Sequence, residues 1–258
     1  FNDKFTLLTD AECKELLSGN VYLEKRKSRS ATMINQGSVG KCNCSAAVSA
    51  IYQVRSHFGF EHTVLSDNYI YMNINHGKDQ GSLLSDGMEF ATNYGVSPKQ
   101  LHDKSGEPIG DIDYLSYARS QISREVYDAA SLQADRFRMH EPYVVPNDWH
   151  AFRQTVMTAL ALDYPIVMAW DVTNRSMELN RNGYIVSGRS WGNHASVFHS
   201  AKWVGGKDGV HPDLKSSWGP TKHIAYGPLS AGWGDGGYGL MTMEQAFHCR
   251  EQHQFYVL

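Results

Sequence analysis

The sequence has no uninterrupted apolar run approaching the roughly 20 residues that a membrane-crossing helix needs. It has no basic excess either. Its 24 Lys and Arg face 27 Asp and Glu, for a net charge of −3. The cations are scattered apart from Lys25-Arg26-Lys27, so no nucleic-acid footprint is present. Cysteine is scarce. Cys13, Cys42, Cys44 and Cys249 are too few, at 258 residues, for a disulfide scaffold. There is no internal repeat and no low-complexity linker, and no secretory signal remains to be read in a chain we expect to be trimmed. The chain opens on Phe1 rather than methionine, which leads us to expect a trimmed chain or a part of a longer polypeptide or assembly. What is present is a 41% hydrophobic content, enough for one large domain or two packed lobes around a real core.

The periodicity changes character along the chain. Residues 1–30 read as a polar arm with a short helical patch at Asp10–Leu17. From Cys42, Ala46, Ala47, Ala50, Ile51 and Val54 recur at helical spacing. Ser66 is placed to cap a helix through Tyr69, Ile70 and Met72, and Asp86–Tyr94 forms another, closed by Gly95. A long polar helix is expected between Ile112 and Phe137. Pro146 and Asn147 announce a helix carrying Phe152, Val156, Leu160 and Leu162. Beyond it, strands are expected at Pro165–Val172, Gly183–Val186, His194–Val204, Leu214–Trp218, Tyr238–Met243 and Gln254–Leu258, several separated by glycine-rich turns. The pattern is α+β, with a helical first part and a β-rich second part, and a site is expected in the cleft between them.

The stretch N-Q-G-S-V-G-K-C-N-C-S-A-A (Asn35–Ala47) holds the densest chemistry. A phosphate loop would need glycine at 35 and Ser or Thr at 42, and it has Asn35 and Cys42. A zinc site is disfavoured because a single residue separates Cys42 from Cys44, which on a helix turns their sulfurs about 200° from each other. A nucleophile fits better. Cys42 lies where a glycine loop meets a helix start, and there unpaired N–H groups and the macrodipole favour a thiolate. The loop could also bring backbone N–H groups to a reacting carbonyl, with the Gln36 amide as a second oxyanion donor. Lys41 reads as a solvated charge and Cys44 as a small buried helix residue.

The segment Q-G-S-V-G-K-C resembles the Q-G-x-x-G-x-C active-site segment of papain-like cysteine peptidases. The resemblance implies a two-lobe α+β fold, with a helical left lobe over about 31–140 and a β-rich, barrel-like right lobe over about 141–258. It implies a cysteine peptidase that hydrolyses peptide bonds through a Cys-His thiolate–imidazolium pair and an acyl-enzyme intermediate, with Cys42 as nucleophile and Gln36 in the oxyanion hole. His194, in G-N-H-A-S-V-F and 152 positions on (194 − 42), is similar to the family's basic histidine. His199 is its neighbour on the opposite face of the strand. L-K-S-S-W-G resembles the family's N-S-W-G segment, with Ser216 at the orienting asparagine and Trp218 at the shielding tryptophan. W-G-D-G-G-Y-G-L (Trp233–Leu240) and L-S-D-N-Y-I-Y-M (Leu65–Met72) are also similar. Gly81 and Ser82 match the substrate-lining glycine loop. The resemblance implies a peptide or protein substrate and no metal or cofactor.

The sequence departs from that pattern in places. Asn43 replaces the tryptophan that usually follows the nucleophile, and Ser216 replaces asparagine. Val39 stands where the family often has a cysteine bonded to the glycine loop, so that disulfide cannot form. This points to a bacterial or phage protein, in cytoplasm or virion, rather than to a secreted disulfide-rich one. Two further readings stay open. One is a weakened papain-like domain with a binding or structural role in a larger assembly, a viral one included. The other is the same acyl chemistry on a cell-wall peptide or isopeptide.

Overall fold

The computed structural model describes residues 6–18, 34–113, 115–173, 179–186, 190–215, 237–252 and 255–258. Most helices start where a side chain takes up the unpaired N–H groups of the first turn. In α1 (Asp10–Leu17), the Glu12 N–H donates to Thr9 Oγ1 at 3.3 Å while the Thr9 N–H donates to the Glu12 carboxylate at 2.7 Å. In α2 (Cys42–His57) no side chain caps the start. Ser66 caps α3 (Asp67–Ile74), accepting the Tyr69 N–H at 3.2 Å. α4 (Leu84–Tyr94) stops at Gly95, whose φ is +79°. A Cβ there would stand 2.1 Å from the Ala134 carbonyl oxygen, so only glycine fits.

The long helix expected between Ile112 and Phe137 is instead α5 (Arg124–Ala134), flanked by short 3₁₀ turns at Arg119–Gln121 and Asp135–Phe137. The Ser123 hydroxyl accepts the Val126 N–H and fixes a later start. Just upstream lies an unexpected hairpin, β1 (Gln100–His102) with β2 (Pro108–Asp111). Its turn is closed by Asp103, whose carboxylate accepts the Ser105 and Glu107 N–H groups. α6 (Trp149–Ala161) is capped by Asp148, which accepts from His150 and Ala151 at 2.9 and 3.0 Å.

The second half is organised by one sheet. β3 (Tyr143–Val144), β4 (Ile166–Thr173), β5 (Ser190–Gly205), β6 (Gly209–Lys215), β7 (Tyr238–Leu240) and β8 (Phe255–Val257) pair in the order β3-β8-β4-β5-β6-β7, all antiparallel. Among the described residues this is an open sheet and not a closed barrel. The strand expected at Gly183–Val186 is reduced to isolated bridges at Tyr184 and Ile185. The one expected at Tyr238–Met243 ends at Leu240, because Met243 begins α7 (Met243–Gln252). Thr242 and Gln245 cap that helix reciprocally, at 3.1 and 2.9 Å.

Alternation along β4 and β5 gives the sheet two apolar faces. Val167, Ala195 and Val197, with Tyr256, meet α2, whose Ala46, Ala47 and Ala50 are small enough to let the helix lie close. The other face, with Ile166, Met168, Trp170, Phe198 and Phe255, is covered by α1, α6 and α7. α2 is buried from Asn43 to Gln53, and Gln53 donates to the His199 carbonyl at 2.9 Å. Residues 6–18 of the N-terminal arm lie on the face away from α2. Arg153 grips the Asp10 carboxylate with two bonds of 3.0 and 2.7 Å, and Cys13 and Leu17 enter the core. Among the described residues no helix is long and apolar enough to cross a membrane.

Phe152 is fully buried at the centre of this second core, with its ring 5.3 Å from Phe247 and 5.7 Å from Phe255. Phe152→Ala should cost about 3–5 kcal/mol. A urea midpoint unchanged from the parent protein would contradict the packing described.

Candidate active site

Cys42 is the first residue of α2, and the loop before it is tightly folded. Lys41 N–H donates to the Val39 carbonyl at 2.9 Å, and the Gln36 amide donates to the same oxygen at 3.1 Å. Because α2 lacks a side-chain cap, its first N–H groups and the positive end of its dipole face the half-buried Cys42 thiol. Burial pushes that thiol above its usual range. The backbone N–H groups of Ala195, Asn43 and Cys42 itself lie near the sulfur, favour its negative form and act the other way. The start of α2 therefore reaches β5 at Ala195, the residue after His194.

His194 is buried, opposite Trp170 on β4. The two rings meet edge to face at 6.3 Å, and the Trp170 indole N–H donates to the Ser196 hydroxyl at 3.1 Å. Burial lowers the His194 pKa to about 3. His199 is elsewhere. It sits at a bulge in the β5–β6 ladder, with Nε2 3.0 Å from Asp213 and its ring against Tyr238, ~16 Å along the strand from residue 194.

Lys41 is not the solvated charge the sequence suggested. Its side chain is fully buried, and its ammonium lies 2.9 Å from the Asp67 carboxylate at the start of α3. Ser45, one turn into α2, donates to the other Asp67 oxygen at 2.5 Å. The sequence did flag Ser66 as a cap, which put Asp67 in the first turn of α3. Nothing in the spacing paired it with Lys41. Cys44 is buried, as expected, and its thiol donates to Asn43 Oδ1 at 3.3 Å.

Gly81 and Ser82 lie beside the Gly40–Cys42 loop. The Asn43 amide donates to Ser82 Oγ at 2.9 Å and to the Leu83 carbonyl at 2.8 Å. Sequence reasoning treated Asn43 only as a departure and missed this tie, along with Trp170 as the ring neighbour of His194. The structure thus brings Gln36, Cys42, Gly81, Ser82 and the His194 segment of β5 together. Ser216 and Trp218 lie outside the described residues, as do positions 233–236 of the later glycine-rich segment. Among the described residues no group of three His, Cys, Asp or Glu is arranged to hold a metal ion.

Two consequences are measurable. Asp67→Ala leaves the Lys41 ammonium buried without its carboxylate and should cost about 3–5 kcal/mol, whereas Lys41→Met combined with Asp67→Leu should cost less. Equal losses in thermal unfolding would contradict this. His194 gives a pH signature. Unfolded, it takes up a proton below about pH 6.5 that the folded state refuses until about pH 3. Stability should therefore fall as pH drops through that window, by up to about 1.4 kcal/mol per unit, and His194→Gln should flatten the slope. Identical slopes in the two proteins would count against the buried neutral imidazole.

No protein-family model matches the chain, and a search of curated proteins finds no match. Solved structures do match. Xylellain, a cysteine protease from Xylella fastidiosa, is 19% identical with a TM-score of 0.62, covering 87% of this chain and 81% of its own. Digestive procathepsin L 3 of the Tenebrio molitor larval midgut is 17% identical with a TM-score of 0.57, covering 90% of this chain and 67% of its own. At these identities the likeness concerns the fold, and the chain has the α+β fold of papain-like cysteine proteases.

Proposed function

We propose that this protein is a papain-like cysteine peptidase that hydrolyses peptide bonds through an acyl-thioester on Cys42. One observation carries the reading: the half-buried thiol that opens helix α2 lies against the backbone of Ala195, next to the buried imidazole of His194. The fold likeness to cysteine proteases supports it.

In this mechanism Cys42 Sγ attacks the substrate carbonyl while its proton passes to His194. Burial works against charge on either group alone, so the two ionise together, as a thiolate paired with an imidazolium. The negative oxygen of the tetrahedral intermediate is stabilised by the Cys42 backbone N–H and the Gln36 amide. Collapse breaks the C–N bond, and the imidazolium returns its proton to the leaving amine. Water then attacks the thioester with His194 again as base, releasing the acid and the free thiol. By the resemblance, Ser216 would take the part of the orienting asparagine and Trp218 that of the shielding tryptophan. Gly81 and Ser82 line the cleft for the acyl-side residues of the peptide. Val39, in place of a disulfide-forming cysteine, supports a bacterial or phage origin.

Turnover of a peptide library tests this. Cys42→Ala and His194→Ala should each lower kcat by at least about 10³-fold while leaving the far-ultraviolet circular dichroism unchanged. Hydrolysis that persists in Cys42→Ala would remove the nucleophile, and the mechanism with it.

A further inference from the structure

The Gly81–Leu83 segment is tied to the start of α2 at two points, and neither tie is covalent. At one end the Asp79 carboxylate reaches over, with a single oxygen accepting the Gly40 N–H at 2.7 Å and the Tyr71 hydroxyl at 2.9 Å. The Tyr71 oxygen in turn accepts the Gly81 N–H at 3.0 Å. Tyr71 is fully buried, and burial raises its pKa to about 12, so the hydroxyl keeps the proton it donates. The two loops touch here only because residue 40 is glycine. A Cβ at that position would stand 3.0 Å from the Gly81 nitrogen, 3.1 Å from the Asp79 oxygen and 3.3 Å from the Tyr71 oxygen. At the other end Asn43 holds Ser82 and Leu83, as described above. Gly87 of α4 makes room for it, since a Cβ there would lie 3.1 Å from the Asn43 amide nitrogen.

We propose that Asp79, Tyr71 and Asn43 are positioning residues, which hold the Gly81–Leu83 segment in register with the Gly40–Cys42 loop. The inference rests on the cysteine-peptidase reading. It adds a reason why the chain manages without a cysteine at position 39. Three side chains from α2, α3 and the loop after α3 make a clasp that a thiol reductant cannot open. The Gly81 N–H and the Ser82 hydroxyl are both engaged by it, so the segment meets an extended substrate in one fixed arrangement. None of the three residues touches the reacting atoms, and their effect passes through the backbone they hold.

The test compares Asp79→Ala and Tyr71→Phe with Asp79→Asn, which keeps the accepting oxygen. Steady-state kinetics use a tetrapeptide amide, iodoacetamide alkylation is read at Cys42 by peptide mapping, since Cys249 is also half-buried, and amide hydrogen exchange reports the loops. Asp79→Ala and Tyr71→Phe should raise KM by at least about fivefold, the equivalent of about one hydrogen bond. They should also speed exchange at 40–42 and 81–83, and leave the alkylation rate of Cys42 within about twofold of the parent. Asp79→Asn should recover most of the KM. Unchanged KM and unchanged exchange in both variants would overturn the clasp. So would a parallel loss of kcat, alkylation and thermal stability that Asp79→Asn does not rescue. A parent protein that leaves every peptide intact would sink the peptidase reading instead, and the exchange data would then decide the clasp without it.

Discussion

The structure depends on how the first turn of α2 is fixed. That turn carries a buried cation, a half-buried thiol and a set of uncapped N–H groups. An ammonium in such a place is tolerated only with a carboxylate at contact distance and with the remaining polar atoms satisfied. Asp67 provides the carboxylate, and Ser45 takes its second oxygen. The pair joins the starts of α2 and α3. The alanine stripe one turn further along presses the same helix onto β4 and β5. The position of the Cys42 sulfur against β5 is the sum of these two contacts.

This placement shapes the chemistry available. A thiol held against backbone N–H groups and an imidazole sealed behind an indole are both kept from ionising alone, and each is suited to change charge only when the other does. The Lys41 charge, adjacent in sequence to Cys42, is engaged by Asp67 and adds little positive potential at the sulfur. The activating field comes instead from the helix start. The neighbouring glycine-rich segment is held by side chains on the same helix and on α3, so Cys42 and the Gly81–Leu83 backbone belong to one connected unit.

Much of this was legible in the residues. The reach of α1, the Ser66 cap and the Gly95 stop were read from local chemistry, because caps and left-handed glycines act within a few residues. The strands around Ile166 and His194 were visible because two-sided burial makes them near-continuous apolar runs. The rest failed for identifiable reasons. The hairpin at 100–111 has strands of three and four residues with one buried side chain, too short for any period to show. α7 was read as the end of a strand, although Thr242 and Gln245 form a capping box that was there to be found. Lys41 looked solvated because a lysine in a glycine loop usually is, and its partner lies 26 residues away on another helix. Asn43 was marked only as a substitution, since the partner loop that gives it a task is about 40 residues distant.

The central claim is that the sulfur of Cys42 forms a covalent bond to the substrate acyl group. Rapid acid quench of the protein during turnover of a peptide ester, followed by intact mass and peptide mapping, tests it directly. The account predicts a thioester adduct on the peptide containing Cys42, formed in the first turnover and lost as substrate is exhausted. Steady turnover with Cys42 unmodified at every time point would contradict it.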